Sequence, residues 1–229
     1  MNVAVRLLTS LALVTLVGCS SDDDVEKADS APKTDSTPLA ERVLTAEDVP
    51  GSKPDPVEVR QASADLDESI NVFADFANAP DMDEITNVFR KAGVEGAVLD
   101  SRYIGKTHTG AAPHVIGLVV QTQSEEGATS TLDFLEKDLR QPCPNSCAVK
   151  NVDFQVDAMP GARGVHSSAS AKDIERIGTP QQKPFQGYWV GFTDGPYAST
   201  VELHGPPGSV TEAQALEIAT TYYERVVGN

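Results

Sequence analysis

The sequence predicts an α+β domain: a mostly antiparallel sheet with helices packed on it. Three observations carry this. Strand-like stretches follow one another closely, "GAVLDSRYI" then "HVIGLVVQT", and a hairpin lies in "GYWVGFTDGPYASTVELHG"; neighbouring strands joined by short connections pair antiparallel. An amphipathic helix follows each group, so the chain reads as two β-β-α units. In "HVIGLVVQT", Val115, Ile116, Leu118, Val119 and Val120 form a nearly continuous apolar run, the pattern of a strand covered on both faces.

Taken in order, Leu66, Ile70, Phe73 and Ala77 make a weak helical stripe. "PDMDEITNVFRKAGV" is a stronger helix, capped by Asp81 or Asp83 and stopped by Gly93. Its Ile85, Val88, Phe89 and Ala92 recur at helical spacing. "SEEGATSTLDFLEKDLRQ" repeats the pattern with Ala128, Leu132, Leu135 and Leu139. "VDFQVDAM" alternates, which predicts a half-buried strand with Phe154, Val156 and Ala158 inward. Asp194-Gly195 marks the hairpin turn. In "SVTEAQALEIATTYYERVV", Thr211 and Gln214 form a capping box, and Ala215, Ile218, Ala219, Tyr222 and Val226 form the buried face.

The domain is preceded by a leader. Arg6 and the free amine give a positive start, and Leu7 to Val17 are apolar. Eleven residues are too few to span a ~30 Å hydrocarbon core, but they suit the apolar region of a secretory signal. The run ends "LVGC", with Cys19 followed by Ser20, Ser21 and three aspartates. This ending resembles the bacterial lipobox. The resemblance implies cleavage between Gly18 and Cys19 and a diacylglyceryl group on the Cys19 sulfur, with fatty acid such as palmitate in the anchor. Two acyl chains are what stable anchoring requires. The expected organisation is a signal peptide over 1–18, a lipidated cysteine and polar acidic tether over 19–42, and one extracytoplasmic domain over 43–229. The expected location is the extracytoplasmic face of a cell membrane.

Composition narrows the function. There are 34 acidic and 18 basic residues, a net charge of −16. Such a surface repels nucleic acid and anionic headgroups, so no nucleic-acid partner is expected. With Cys19 lipidated, Cys143 and Cys147 remain of the three cysteines. Their C-x-x-x-C spacing over Pro144 and Asn145 suits a short structural disulfide in an oxidising compartment. A redox pair normally has two intervening residues, and a two-thiolate metal clip lacks nearby ligands.

No catalytic or cofactor motif is present. His108 and His114 lie six apart in "HTGAAPH", wider than helical zinc spacing, and read with His166 and His204 as exposed loop residues. "GVHSSAS" lacks the G-x-S-x-G elbow. The S-x-x-K from Ser30 to Lys33 falls in the tether, and "SDDDVE" lacks the spacing of a calcium loop. No metal or cofactor is expected, and no enzyme activity. The candidate binding surface is aromatic: Tyr188, Trp189, Phe192 and Tyr197 on the hairpin, with Tyr222 and Tyr223 on the last helix.

The helix ending "KAGV", the "PGARGV" stretch, and the hairpin with its C-terminal helix together resemble a group of actinobacterial surface lipoproteins. The resemblance covers roughly residues 43–228 and implies an α/β/α sandwich of the Mog1/PsbP type. The expected role is binding of an envelope lipid, a small apolar ligand or a partner protein. The competing readings are an accessory subunit of an envelope complex and a hydrolase with noncontiguous residues.

Overall fold

A computed structural model describes residues 38–55, 60–63, 65–74, 81–105, 112–141, 148–177 and 183–227. Cys19, Cys143, Cys147, His108 and Ala77 lie outside them. The chain forms β1 (Ser52–Pro54), β2 (Arg60–Ser63), α1 (Leu66–Ala74), α2 (Met82–Ala92), β3 (Val94–Ile104), β4 (His114–Thr122) and α3 (Glu125–Arg140). It continues through β5 (Lys150–Phe154), β6 (Arg163–Ala169), α4 (Ala171–Ile177), β7 (Phe185–Asp194), β8 (Tyr197–Gly205) and α5 (Glu212–Val227).

Among the described residues the eight strands make one sheet, in the order β1-β3-β4-β8-β7-β6-β5, with β2 also pairing β3. All these pairs are antiparallel. The α+β reading therefore holds, and both β-β-α units are present as β3-β4-α3 and β7-β8-α5. Their helices pack on opposite faces. The face under α1, α2 and α3 buries Ala97, Leu118, Val120, Trp189 and Ala198 against Phe73, Phe89 and Leu132. The α5 face buries Val115, Val119, Val190, Phe192 and Val201 against Ile218, Tyr222 and Val226. The period-2 alternation of side chains divides β4 between both cores, which is why its sequence is apolar nearly throughout.

The caps are where the sequence puts them. The Asp81 carboxylate accepts from the backbone N–H groups of Asp83 and Glu84, and Gly93 ends α2 at φ 67°. Ser124 caps α3 by accepting from Gly127 N at 3.1 Å. Thr211 and Gln214 exchange hydrogen bonds at 2.9 and 3.2 Å. Gly195 opens the hairpin turn at φ 52°.

Three expectations need correction. The folded part starts before residue 43: Leu39–Arg42 is a 3-10 turn with Leu39 and Arg42 buried. The buried apolar Leu39 and the buried cation Arg42, paired with Asp194, fix these residues to the domain. β5 stops at Phe154, and the chain then turns, so that Val156 and Met159 point inward while Ala158 is exposed. The turn re-phases the pattern, and Met159 takes the core position assigned to Ala158. Finally, α4 was not expected from sequence, although Ser170 accepts from Asp173 N at 3.2 Å as a short cap.

Candidate functional site

The six aromatic residues do not form one surface. Trp189 is 1% exposed and packs on the α1–α3 side of the sheet. Phe192 and Tyr222 are buried on the other side, their rings 5.8 Å apart, with Tyr223 edge-on to Phe192 at 5.1 Å. Tyr197 is buried beneath the Arg42 guanidinium, which sits 3.7 Å from its ring centre. Successive hairpin residues face opposite sides of the sheet, so Tyr188 and Trp189 could not share a face. The expected surface between hairpin and C-terminal helix is thus corrected to core. Tyr188 alone reaches a half-buried shelf, stacked on His166 at 4.6 Å and edge-on to Phe154 at 5.9 Å.

The loop reading of the histidines is also corrected for three of the four. His114 lies on β4, His166 on β6 and His204 on β8. His114 and His204 are direct cross-strand partners, with rings stacked 5.6 Å apart. The register extends this pair into a row on the α1–α3 side: Tyr103 on β3, His114, His204, Gly187 on β7, Ser167 on β6 and Asn151 on β5. Such a row is invisible in sequence because its neighbouring members lie 11 to 90 positions apart and only the strand order unites them.

Each imidazole of the pair faces a carboxylate. His114 Nδ1 lies 3.2 Å from Asp55 Oδ2, and His204 Nδ1 lies 3.6 Å from Glu202 Oε1. Burial alone would lower the His204 pKa, but the Glu202 carboxylate outweighs it and holds the imidazole above its ordinary value. At 3.6 Å that contact is electrostatic, not a hydrogen bond, and His204 Nδ1 has no hydrogen-bond partner. Trp189, the cross-strand partner of Glu202, likewise has a buried Nε1 without one. Ser167 donates to Asn151 Oδ1 at 2.7 Å.

Gly187 is closely covered in the middle of the row. A β-carbon there would come 3.2 Å from His204 Cβ and 3.7 Å from Glu202 Oε1. Glycine is what lets the half-buried His204 imidazole and Glu202 carboxylate pack this closely over β7. A concavity of about 550 Å³ runs between α2 and α3 past Lys91, Asp133, Phe134 and Lys137. Its charges compensate one another, with Lys137 and Glu84 2.5 Å apart.

Ser167 is separated from His204 by the whole of β7, about 10 Å at a strand spacing of ~4.8 Å. That is beyond the reach of a nucleophile and its base. Among the described residues no group of three or more His, Cys, Asp or Glu side chains is arranged to hold a metal ion. None of the described helices is long and apolar enough to cross a membrane.

No known protein family matches the chain, and no curated protein matches it. Among solved structures, the extracellular domain of PknH from Mycobacterium tuberculosis matches with a TM-score of 0.48 at 12% identity, covering 83% of this chain and 95% of that one.

Proposed function

We propose that this chain is a membrane-tethered bacterial lipoprotein whose domain works outside the cytoplasm as a binding module, without catalysis. The "LVGC" ending at Cys19 supports the anchor, and the Cys143–Cys147 pair suits the oxidising side of the membrane. The kinship with actinobacterial surface lipoproteins and the Mog1/PsbP type belongs to the same proposal. The observation that carries the binding role is the polar row. It brings His114, His204 and Glu202 together on one face, with the two imidazoles stacked and each facing a carboxylate. Half-buried imidazoles beside carboxylates gather donors and acceptors on one face, which supports a binding role.

The aromatic residues expected to meet an apolar ligand are mostly core, so the row favours a polar envelope component over a lipid. A second reading, an accessory subunit that docks a protein, is favoured by the β5 edge, where Val152 is 60% exposed beside the Tyr188–His166 shelf. Native mass spectrometry of the protein extracted from its own membranes separates the two. A noncovalent small or oligomeric molecule retained by the wild type and lost in His204→Ala is the expected result. A retained protein that survives His204→Ala but not Val152→Asp would establish the second reading.

A further inference from the structure

The groove between α2 and α3 shares no residue with the histidine row, and we infer that it is a second binding site, taking a free α-amino acid with an apolar side chain. The contacts pair the end of α2 with the start of α3. A β-carbon on Gly127 would stand 2.2 Å from Ala92 O, so the helices touch there, and at the far end Glu84 meets Lys137 at 2.5 Å. From Gly127 to Lys137, α3 rises about 15 Å at ~1.5 Å per residue. The volume of about 550 Å³ lies in the range of small-molecule sites. It exists because short side chains, Ala92 on α2 and Ser130 on α3, line the groove beside Gly127.

The lining defines the ligand. Val88, Ala92 and Phe134 give it apolar surface, where burial of a ligand's methylenes or ring is favourable. Two of its charged groups are already engaged: Lys137 with Glu84, and Asp133 with Arg163 at 2.6 Å. Lys91 and Glu126 are not. Among the described residues neither has an ion-pair or side-chain hydrogen-bond partner. Each stands one position before a residue of the Ala92–Gly127 contact. The two therefore flank the touching end of the groove, one from either helix, without joining each other.

An α-amino acid complements this arrangement. Its ammonium and carboxylate sit on one carbon, so the carboxylate can meet Lys91 and the ammonium Glu126. The side chain then runs along Val88 and Phe134 toward the Glu84–Lys137 pair. Other classes fit less well. A plain anion meets Glu126 and the chain's net charge of −16, and a plain cation meets Lys91. A neutral apolar molecule would desolvate both charges with nothing in exchange.

The test follows backbone amide NMR signals of the full chain in detergent during titration with L-phenylalanine. Saturating shifts at Lys91, Gly127 and Ser130 are expected, with a midpoint on the order of 1 mM for so small a ligand in an open groove. Glycine, which lacks the side chain, should bind at least about tenfold more weakly. N-acetylphenylalanine lacks the ammonium and phenylalaninamide lacks the carboxylate, and each should bind at least about threefold more weakly. Lys91→Gln should erase the preference for phenylalanine over its amide, and Glu126→Gln the preference over its N-acetyl form. Both residues are exposed, so the fold survives, and a merely structural role would move neither ratio. Lys172→Gln, at an exposed lysine on α4, should leave both ratios unchanged. No saturable shift in the groove with phenylalanine, leucine or tryptophan would overturn the assignment, as would an unchanged acid-to-amide preference in Lys91→Gln. Either failure leaves the reading of the histidine row to its own experiment, because the two sites have no side chain in common.

Discussion

Arg225 holds Asp48 through two hydrogen bonds, of 2.8 and 2.7 Å, although the two residues are 177 positions apart. Asp48 is fully buried and also accepts from Thr45 N at 2.7 Å. The same guanidinium donates to the carbonyls of Glu41 and Val43. Nearby, the buried Arg42 pairs with Asp194 at 3.0 Å, and the Tyr222 hydroxyl donates to Arg42 O at 2.6 Å. The segment from Glu41 to Asp48 is thereby latched to α5 and to the hairpin turn. Replacing Arg225 by Ala strands a buried carboxylate, and removal of one partner of a buried pair costs about 3–5 kcal/mol. Since Arg225 is itself 24% exposed, the lower end is expected. Urea denaturation measures it, and a loss below about 1 kcal/mol would mean that the latch is marginal.

Gly127 sets up a contest between two opposite effects. In a free helix, Gly→Ala gains about 1 kcal/mol. Here a β-carbon would sit 2.2 Å from Ala92 O, a backbone atom that cannot rotate away. Forcing α2 and α3 apart costs about 1–3 kcal/mol or more, so the clash wins. Gly127→Ala should lower the thermal midpoint by several degrees, and an increase would show that α3 slides freely on α2.

Asp100 is a buried acid without full compensation. Its Oδ2 has no hydrogen-bond partner, and Arg102 is 3.8 Å away. Burial raises its pKa above the ordinary 3.8, more than Arg102 lowers it. The folded chain therefore binds this proton more tightly than the unfolded chain. As pH climbs from 3.8 through the folded value, ionisation takes stability away, and the loss persists at neutral pH. Asp100→Asn should thus be more stable than wild type at pH 7, with the gap closing toward pH 4. Denaturation at a series of pH values tests this; a variant less stable at pH 7 would show that Arg102 needs the charge.

His204 carries a linkage of the same sign from a different cause. Its folded pKa lies above 6.5 because the Glu202 carboxylate outweighs burial. The stabilising contact is complete below the unfolded value and fades as pH rises through the folded one. NMR titration of the ring should place His204 above an ordinary histidine, and Glu202→Gln should bring it down. An unchanged value in Glu202→Gln would remove the carboxylate as the cause.

Most of the framework was legible in the sequence because it depends on local signals. The Asp81 cap, the Gly93 stop and the Thr211–Gln214 box involve residues within one turn, and periodicity reports them directly. The two-faced burial of β4 was also readable, since a strand between two helical layers has no polar side. The site was not. Tyr188 and Trp189 adjoin in sequence but face opposite layers, whereas His114 and His204 adjoin in space through a register that no local pattern encodes. The Arg42 and Asp48 latch escaped for the same reason: a charged residue in a polar stretch reads as solvated until its distant partner is known.

The proposed membrane anchor rests on Cys19, and the measurement that tests it most directly is metabolic labelling with an alkyne-tagged palmitate. Wild type and Cys19→Ala are compared in label uptake, membrane partitioning and intact mass. The account predicts that wild type is labelled, sediments with membranes and begins at Cys19, while Cys19→Ala is unlabelled and either unprocessed or released. Equal processing and membrane retention of an unlabelled wild type and of Cys19→Ala would contradict the anchor.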